Sequence, residues 1–122
     1  MAKLIMIVDD SASLRQVVGL TLKDAGYDVL EGADGSDALS KLKGQKVHLI
    51  ISDVNMPNMD GIAFVREVKQ LPNYRFTPII MLTTESQEEK KRQGQEAGAR
   101  AWLVKPFKPQ LLLTAVQKLV LP

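Results

Sequence analysis

The chain has 122 residues, within the roughly 100–200 that a single core organises, and it carries no cysteine, which excludes disulfides, thiol nucleophiles and cysteine-based zinc sites. Lys plus Arg number 16 against 14 Asp plus Glu, a net charge of +2 without the concentrated basic face that nucleic-acid binding requires. No run reaches the roughly 20 apolar residues of a membrane span and no signal-peptide pattern follows Lys3, so we expect a cytoplasmic protein with no membrane insertion.

In chain order, Leu4–Val8 reads as a strand apolar on both faces, the mark of a parallel strand covered by helices on each side. A helix from about Ser11–Ser13 presents Leu14, Val17, Val18, Thr21, Leu22 and Ala25 and stops at Gly26. Tyr27–Glu31 is a weaker strand nearer the edge, and Ser36 caps a short helix with Ala38, Leu39 and Leu42 inward, ended by Gly44. The third strand covers about Val47 to Ser52, and the helix after it shows Ile62, Val65, Val68 and Leu71 before breaking at Pro72. Pro78–Thr83 is the fourth strand. Ser86 and Glu89 match a capping box for a helix over Gln87–Ala97 that has almost no apolar stripe and contains Gly94, so it should be weakly held. Strand five runs near Arg100–Val104, and a last helix starts at Pro109 and buries Leu112, Ala115, Val116 and Leu119.

Five alternations of strand and helix predict a doubly wound, five-stranded parallel sheet with its site at the C-terminal strand edge. Repeats, low-complexity tracts and linkers are absent, so residues 1–122 are expected to form one domain with no output domain, and Met1 and the lack of a trailing linker suggest a whole protein. Its message would then pass through a partner.

The sheet edge is where the chemistry gathers. Asp9 and Asp10 follow the first strand, Asp53 ends the third, Thr83 the fourth and Lys105 the fifth. Helix capping, with Ser11 or Ser13, explains one of the two adjacent acids; both together repel unless a cation compensates. Three carboxylates against one ammonium call for a divalent ion, and hard oxygen donors without His or Cys favour Mg²⁺ over zinc. Asp10, Asp53 and a backbone carbonyl near Asn55 would supply half an octahedron. Lys105 and Thr83 opposite a metal-bound carboxylate are what a phosphoryl group requires, and a carboxylate can itself take that group as an acyl phosphate. After Asp53, Pro57 cannot continue a strand and Asp60-Gly61 favours a turn. His48, the one histidine, lies in an apolar strand and is read as structural, and the five Met residues as packing or loop residues.

Four segments in order, Ile7-Val8-Asp9-Asp10-Ser11, Asp53 through Gly61, Met81-Leu82-Thr83-Thr84-Glu85 and Val104-Lys105-Pro106-Phe107, resemble the response-regulator receiver domain of bacterial two-component signalling, in the single-domain chemotaxis style. The resemblance spans essentially the whole chain. It implies a flavodoxin-like (βα)5 fold in three α/β/α layers, and a phosphorylation-dependent switch rather than an enzyme, with self-catalysed phosphorylation and dephosphorylation only. Asp53 would accept a phosphoryl group from a phosphohistidine on a sensor histidine kinase. Asp10 would ligate Mg²⁺ directly, Asp9 through water and Asn55 by its carbonyl, while Thr83 and Lys105 bind the phosphoryl oxygens. Lys105-Pro106 would be cis. The implied partners are the kinase, a phosphatase, and a downstream target bound through the helix 4/strand 5/helix 5 face, in chemotaxis or motility.

Receivers of this type usually carry Tyr or Phe where this chain has Trp102, which is therefore either the switching ring or fixed packing. Asn55 and Glu85 flank the path of an attacking water, so the acyl phosphate is expected to be short-lived. Phosphorylation adds roughly −1.5 to −2 charge, draws Thr83 inward, pulls the loop Thr83–Ser86 and shifts the weakly held helix behind it.

Three other readings compete. A phosphorelay intermediate would pass its phosphoryl group to another histidine domain. An aspartate-nucleophile phosphohydrolase would need a second Asp where Asn55 stands. A flavodoxin-like cofactor module would need a phosphate loop where Asp9-Asp10 repels phosphate.

Overall fold

Both parities of the central strands are apolar because helices cover both faces of the sheet, as a computed structural model of the protein, which describes residues 3–84 and 88–120, makes plain. The strands are β1 (Leu4–Val8), β2 (Asp28–Gly32), β3 (Leu49–Asp53), β4 (Ile79–Thr84) and β5 (Ala101–Lys105). They alternate with helices α1 (Ala12–Asp24), α2 (Gly35–Leu42), α3 (Gly61–Gln70), α4 (Glu88–Ala97) and α5 (Pro109–Leu119). All strand pairs are parallel, in the order β2-β1-β3-β4-β5. On one face Ile5, Ile7, Leu49, Ile51, Ile80 and Leu82 meet Val18 and Leu22 of α1 and Leu112 and Val116 of α5. On the other, Met6, Val8, Ile50, Ile79 and Met81 meet α2 and α3 through Ala38, Leu42, Phe64, Val65 and Val68. This is the doubly wound parallel sheet expected from the alternation, in the flavodoxin-like three-layer α/β/α arrangement that the resemblance implied, with β2 at an edge.

Local differences from the sequence reading have physical reasons. Helix α2 is capped by Asp34, whose carboxylate accepts from Asp37 N at 2.8 Å, and not by Ser36, which lies inside the first turn. Asp60-Gly61 is not a free turn: Asp60 caps α3 by accepting from Ala63 N at 2.8 Å, and Gly61 is the first helical residue. Val17 points away from the core, 59% exposed. It lines an open groove of about 430 Å³ between α1 and α5 with Leu14, Phe107 and Leu112. Leu71 leaves the helical face because it precedes Pro72, whose ring favours extended backbone, and its ψ is 123°. The inward face of α3 gains Phe64 instead, fully buried. The weakness expected of the fourth helix is visible in α4, where Gly94 alone is buried and the ion pairs of Arg92 run to Glu89 and Glu96 of the same helix. Ser86, the expected cap, lies outside the described residues.

Candidate functional site

Register brings the charged groups together. Val8 of β1 pairs with Ser52 of β3, so the next residues, Asp9 and Asp53, emerge side by side at the C-terminal edge. Side chains alternate between faces along a strand. Asp9 shares its parity with Ile5 and Ile7, Asp53 with Leu49 and Ile51, and Lys105 with Ala101 and Leu103, all residues of the α1/α5 face. Three strands thus deliver two carboxylates and an ammonium to one face of one edge. Lys105 Nζ donates to Asp53 Oδ1 at 3.0 Å and to Asp9 Oδ2 at 3.2 Å. Thr83 is also buried, one residue beyond Leu82, the register partner of Asp53.

Asp9 is 1% exposed and Asp53 6%, while Asp10 beside them is open to solvent. Oxygens of all three lie within 4.8 Å of one another. The second oxygen of Asp9 accepts from Ser11 N at 2.8 Å, so both of its oxygens are engaged within the chain. Burial raises the Asp53 carboxyl above its usual range; the Lys105 hydrogen bond opposes this and the Asp9 charge adds to it. Burial also works against the Lys105 ammonium, yet the hydrogen bonds and charges of Asp53 and Asp9 outweigh it and hold its pKa above normal. The donor set is all oxygen, with excess negative charge and one solvent-facing acid, and it suits a hard divalent cation such as Mg²⁺.

Two further residues shape this edge. A β-carbon on Gly61 would lie 2.0 Å from the Asp53 carbonyl oxygen and 2.9 Å from Val54 Cα, so only glycine lets α3 start against the acid-bearing strand. Arg15 of α1 donates to the Asp9 carbonyl and pairs with Glu31 of β2 at 3.1 Å, tying the turn after β1 to its neighbour. The sequence reading passed over both roles. A glycine after Asp60 fitted an ordinary turn, and nothing in the spacing of Arg15 marked its partner.

The model of the response regulator receiver domain matches residues 5–117. The chain belongs to that family. A chemotaxis protein CheY homologue of Campylobacter jejuni is 39% identical over 110 residues, covering 88% of this chain and 85% of that protein. The solved structure of Vibrio cholerae CheY4 superposes with a TM-score of 0.93 at 50% identity, covering 98% of this chain and 99% of that one. The receiver domain of sensor histidine kinase PA1611 from Pseudomonas aeruginosa, solved with magnesium in its active-site cleft, is 30% identical with a TM-score of 0.90, covering 98% of each chain. Other relatives are longer: this chain spans 47% of a probable transcriptional regulator ycf27 of Porphyridium aerugineum, at 36% identity over 95% of this chain. Receiver domains are signalling switches of two-component systems rather than classical enzymes, bind Mg²⁺ in an acidic site and interact with histidine kinases and downstream effectors.

The remaining residues singled out in the receiver divide clearly. Asn55 is exposed in the loop after β3. The Lys105-Pro106 bond is cis, as the resemblance implied. Trp102 pairs in register with Met81 and packs, partly buried, on the α2/α3 face of the sheet, the face whose parity Thr83 shares. His48, which stands just before β3 and not within it, has a structural role: its Nδ1 accepts from Leu4 N at 3.1 Å and its backbone N–H donates to the Leu4 carbonyl at 2.8 Å. Glu85 lies outside the described residues. No helix among them is long and apolar enough to cross a membrane.

Proposed function

We propose that this receiver is a phosphorylation-dependent switch whose Asp53 accepts a phosphoryl group from a phosphohistidine of a sensor histidine kinase. A carboxylate oxygen of Asp53 forms the new P–O bond as the P–N bond breaks, and the released imidazole nitrogen keeps the bonding pair and gains a proton from solvent. The observation that carries this reading is a nearly buried carboxylate, hydrogen-bonded to Lys105 Nζ at 3.0 Å and within 4.8 Å of Asp9 and Asp10.

Mg²⁺ would be held by Asp10, Asp53 and the Asn55 carbonyl directly, and by Asp9 through water, which suits an Asp9 whose two oxygens already have partners. When bound, it supplies positive charge to the phosphoryl oxygens. Lys105 moves its Nζ–H from Asp53 to a phosphoryl oxygen, and the Thr83 hydroxyl binds another. In dephosphorylation water attacks phosphorus and the acyl P–O bond breaks, returning Asp53 and inorganic phosphate. Asn55, two residues beyond Asp53, would border that approach.

The signal would leave through the α4/β5/α5 face, where α4 is the least anchored helix, to a downstream target in the cytoplasm. A phosphatase would reset the switch. The chemotaxis role draws on the CheY relatives, of which this chain covers 85% and 99%. A phosphorelay intermediate would use the same chemistry with a second histidine domain as acceptor.

Intact mass after incubation with Mg²⁺ and acetyl phosphate tests the core reading. One added phosphoryl group in wild type, absent from Asp53→Asn and after chelation, is the expected result. No mass gain with several small donors would overturn it and leave a constitutive binding module.

A further inference from the structure

Beyond Val54 the loop between β3 and α3 has no fully buried side chain: Met56 and Met59 lie against the core only partly buried. Val54 N donates to Leu82 O at 3.0 Å and Gly61 N to Val54 O at 2.8 Å, which closes the loop's base. Between them, residues 55–60 are exposed or half-buried. Asn58 stands at the tip with φ 69°, the one positive φ outside glycine among the described residues. Asn and Asp tolerate that conformation because their short polar side chains bond locally.

The Asn58 side chain reaches instead across 24 residues of sequence. Its Nδ2 donates to Asp34 Oδ2 at 3.1 Å. Asp34 is the cap of α2, and its other oxygen is already engaged by Asp37 N. One carboxylate therefore divides its two oxygens between a helix and a loop. These two hydrogen bonds, the one from Asp37 N foremost, hold the Asp34 carboxyl below its usual range. Met59 seals the junction. A β-carbon on Gly35 would meet Met59 Sδ at 2.9 Å and Cβ and Cγ at 3.0 Å, so glycine as the first residue of α2 leaves the room that the Met59 side chain fills.

We propose that Asn58 and Asp34 form a positioning clasp that fixes the β3–α3 loop, and the Asn55 carbonyl it carries, against the N-terminus of α2, and so sets the affinity of the acidic site for Mg²⁺. This rests on the reading of the Asn55 carbonyl as a cation ligand. Neither residue of the clasp touches the reacting atoms; both act through the backbone of the loop. Freed from α2, a loop held to the core only by two half-buried methionines samples more conformations, and the carbonyl has to be ordered again each time the cation binds.

The test is Mg²⁺ titration by calorimetry without phosphodonor, together with amide exchange of residues 55–60. Asn58→Gly removes the donor and keeps a residue at ease with φ 69°. It should weaken Mg²⁺ binding about tenfold, the size typical of losing a group that orients a metal ligand, and speed loop exchange while the urea midpoint stays near wild type. Asn58→Asp alone sets carboxylate against carboxylate, leaves no donor, and should weaken binding likewise. Joining it to Asp34→Asn reverses donor and acceptor at the wild-type net charge, keeps an oxygen on the cap of α2, and should restore affinity. Wild-type affinity in Asn58→Gly, or a doubly substituted chain no better than Asn58→Asp, overturns the clasp while leaving the metal site standing. A wild-type chain that takes up no Mg²⁺ overturns the metal reading and the clasp with it.

Discussion

The six-membered ring of Trp102 lies against the backbone of Gly94: a β-carbon at that position would stand 2.7 Å from Cζ3 of the indole and 3.7 Å from Met81 Cγ. The glycine that weakens α4 by roughly 1 kcal/mol relative to alanine is also what lets a large ring fit beneath it. The size of the ring on β5 and the absence of a side chain on α4 are two halves of one contact, and they join the helix expected to move to the strand expected to report.

A double-mutant cycle reads that contact directly. Gly94→Ala in the wild-type background should destabilise by about 1–2 kcal/mol, because overpacking against the indole exceeds the gain in helix propensity. Its Trp102 emission should shift to the red as the ring leaves its seat. In Trp102→Phe, which lacks the second ring, the same alanine should stabilise by up to about 1 kcal/mol. Urea denaturation of the four proteins gives the coupling, and additive effects would remove Gly94 from any role in seating the ring.

The buried charges at the sheet edge predict opposite effects for two substitutions. Asp53→Asn should raise stability without Mg²⁺ by about 1 kcal/mol, since burial makes ionised Asp53 unfavourable in the fold. Lys105→Met strands Asp9 and Asp53 without their shared cation and should cost about 3 kcal/mol, partly recovered by Mg²⁺. Thermal unfolding with and without the ion checks both.

His48 should make stability fall on mild acidification. Burial and the nearby charges of Lys3 and Lys46 hold its pKa below the ordinary 6.5, and its Nδ1 must stay unprotonated to accept from Leu4 N. The unfolded chain therefore binds more protons, and the contribution of His48 is complete above pH 6.5 and lost as pH drops from there through the folded value. Urea midpoints between pH 7.5 and 5 should decline in wild type and less so in His48→Asn, whose side-chain oxygen can accept the same N–H without titrating.

Hydrogen exchange should rank the helices. Helix α5 is anchored by Leu112 and Val116, whereas α4 buries only Gly94 and stabilises itself with exposed pairs around Arg92. Amides of residues 89–97 should exchange at least tenfold faster than those of 112–119, and equal protection would argue against α4 as the mobile element.

Much of this molecule was legible in one dimension. Alternating apolar runs and helical stripes announced the parallel sheet, because strands covered on both faces cannot carry polar residues of either parity. The acids, hydroxyl and ammonium at four strand ends announced the site, because parallel strands bring their C-terminal ends to one edge. The remainder depended on partners far apart in sequence. That Arg15 meets the Asp9 carbonyl, that Gly61 abuts the Asp53 carbonyl, that Asn58 reaches Asp34 and that Gly94 receives Trp102 are contacts between elements. The periodicity of a single segment says which face turns inward and not what waits there. Composition and pattern determined the fold class, the chemistry of the edge and the poor apolar stripe of α4; packing in three dimensions decided which distant residues tie the loops and which glycines sit where a side chain would collide.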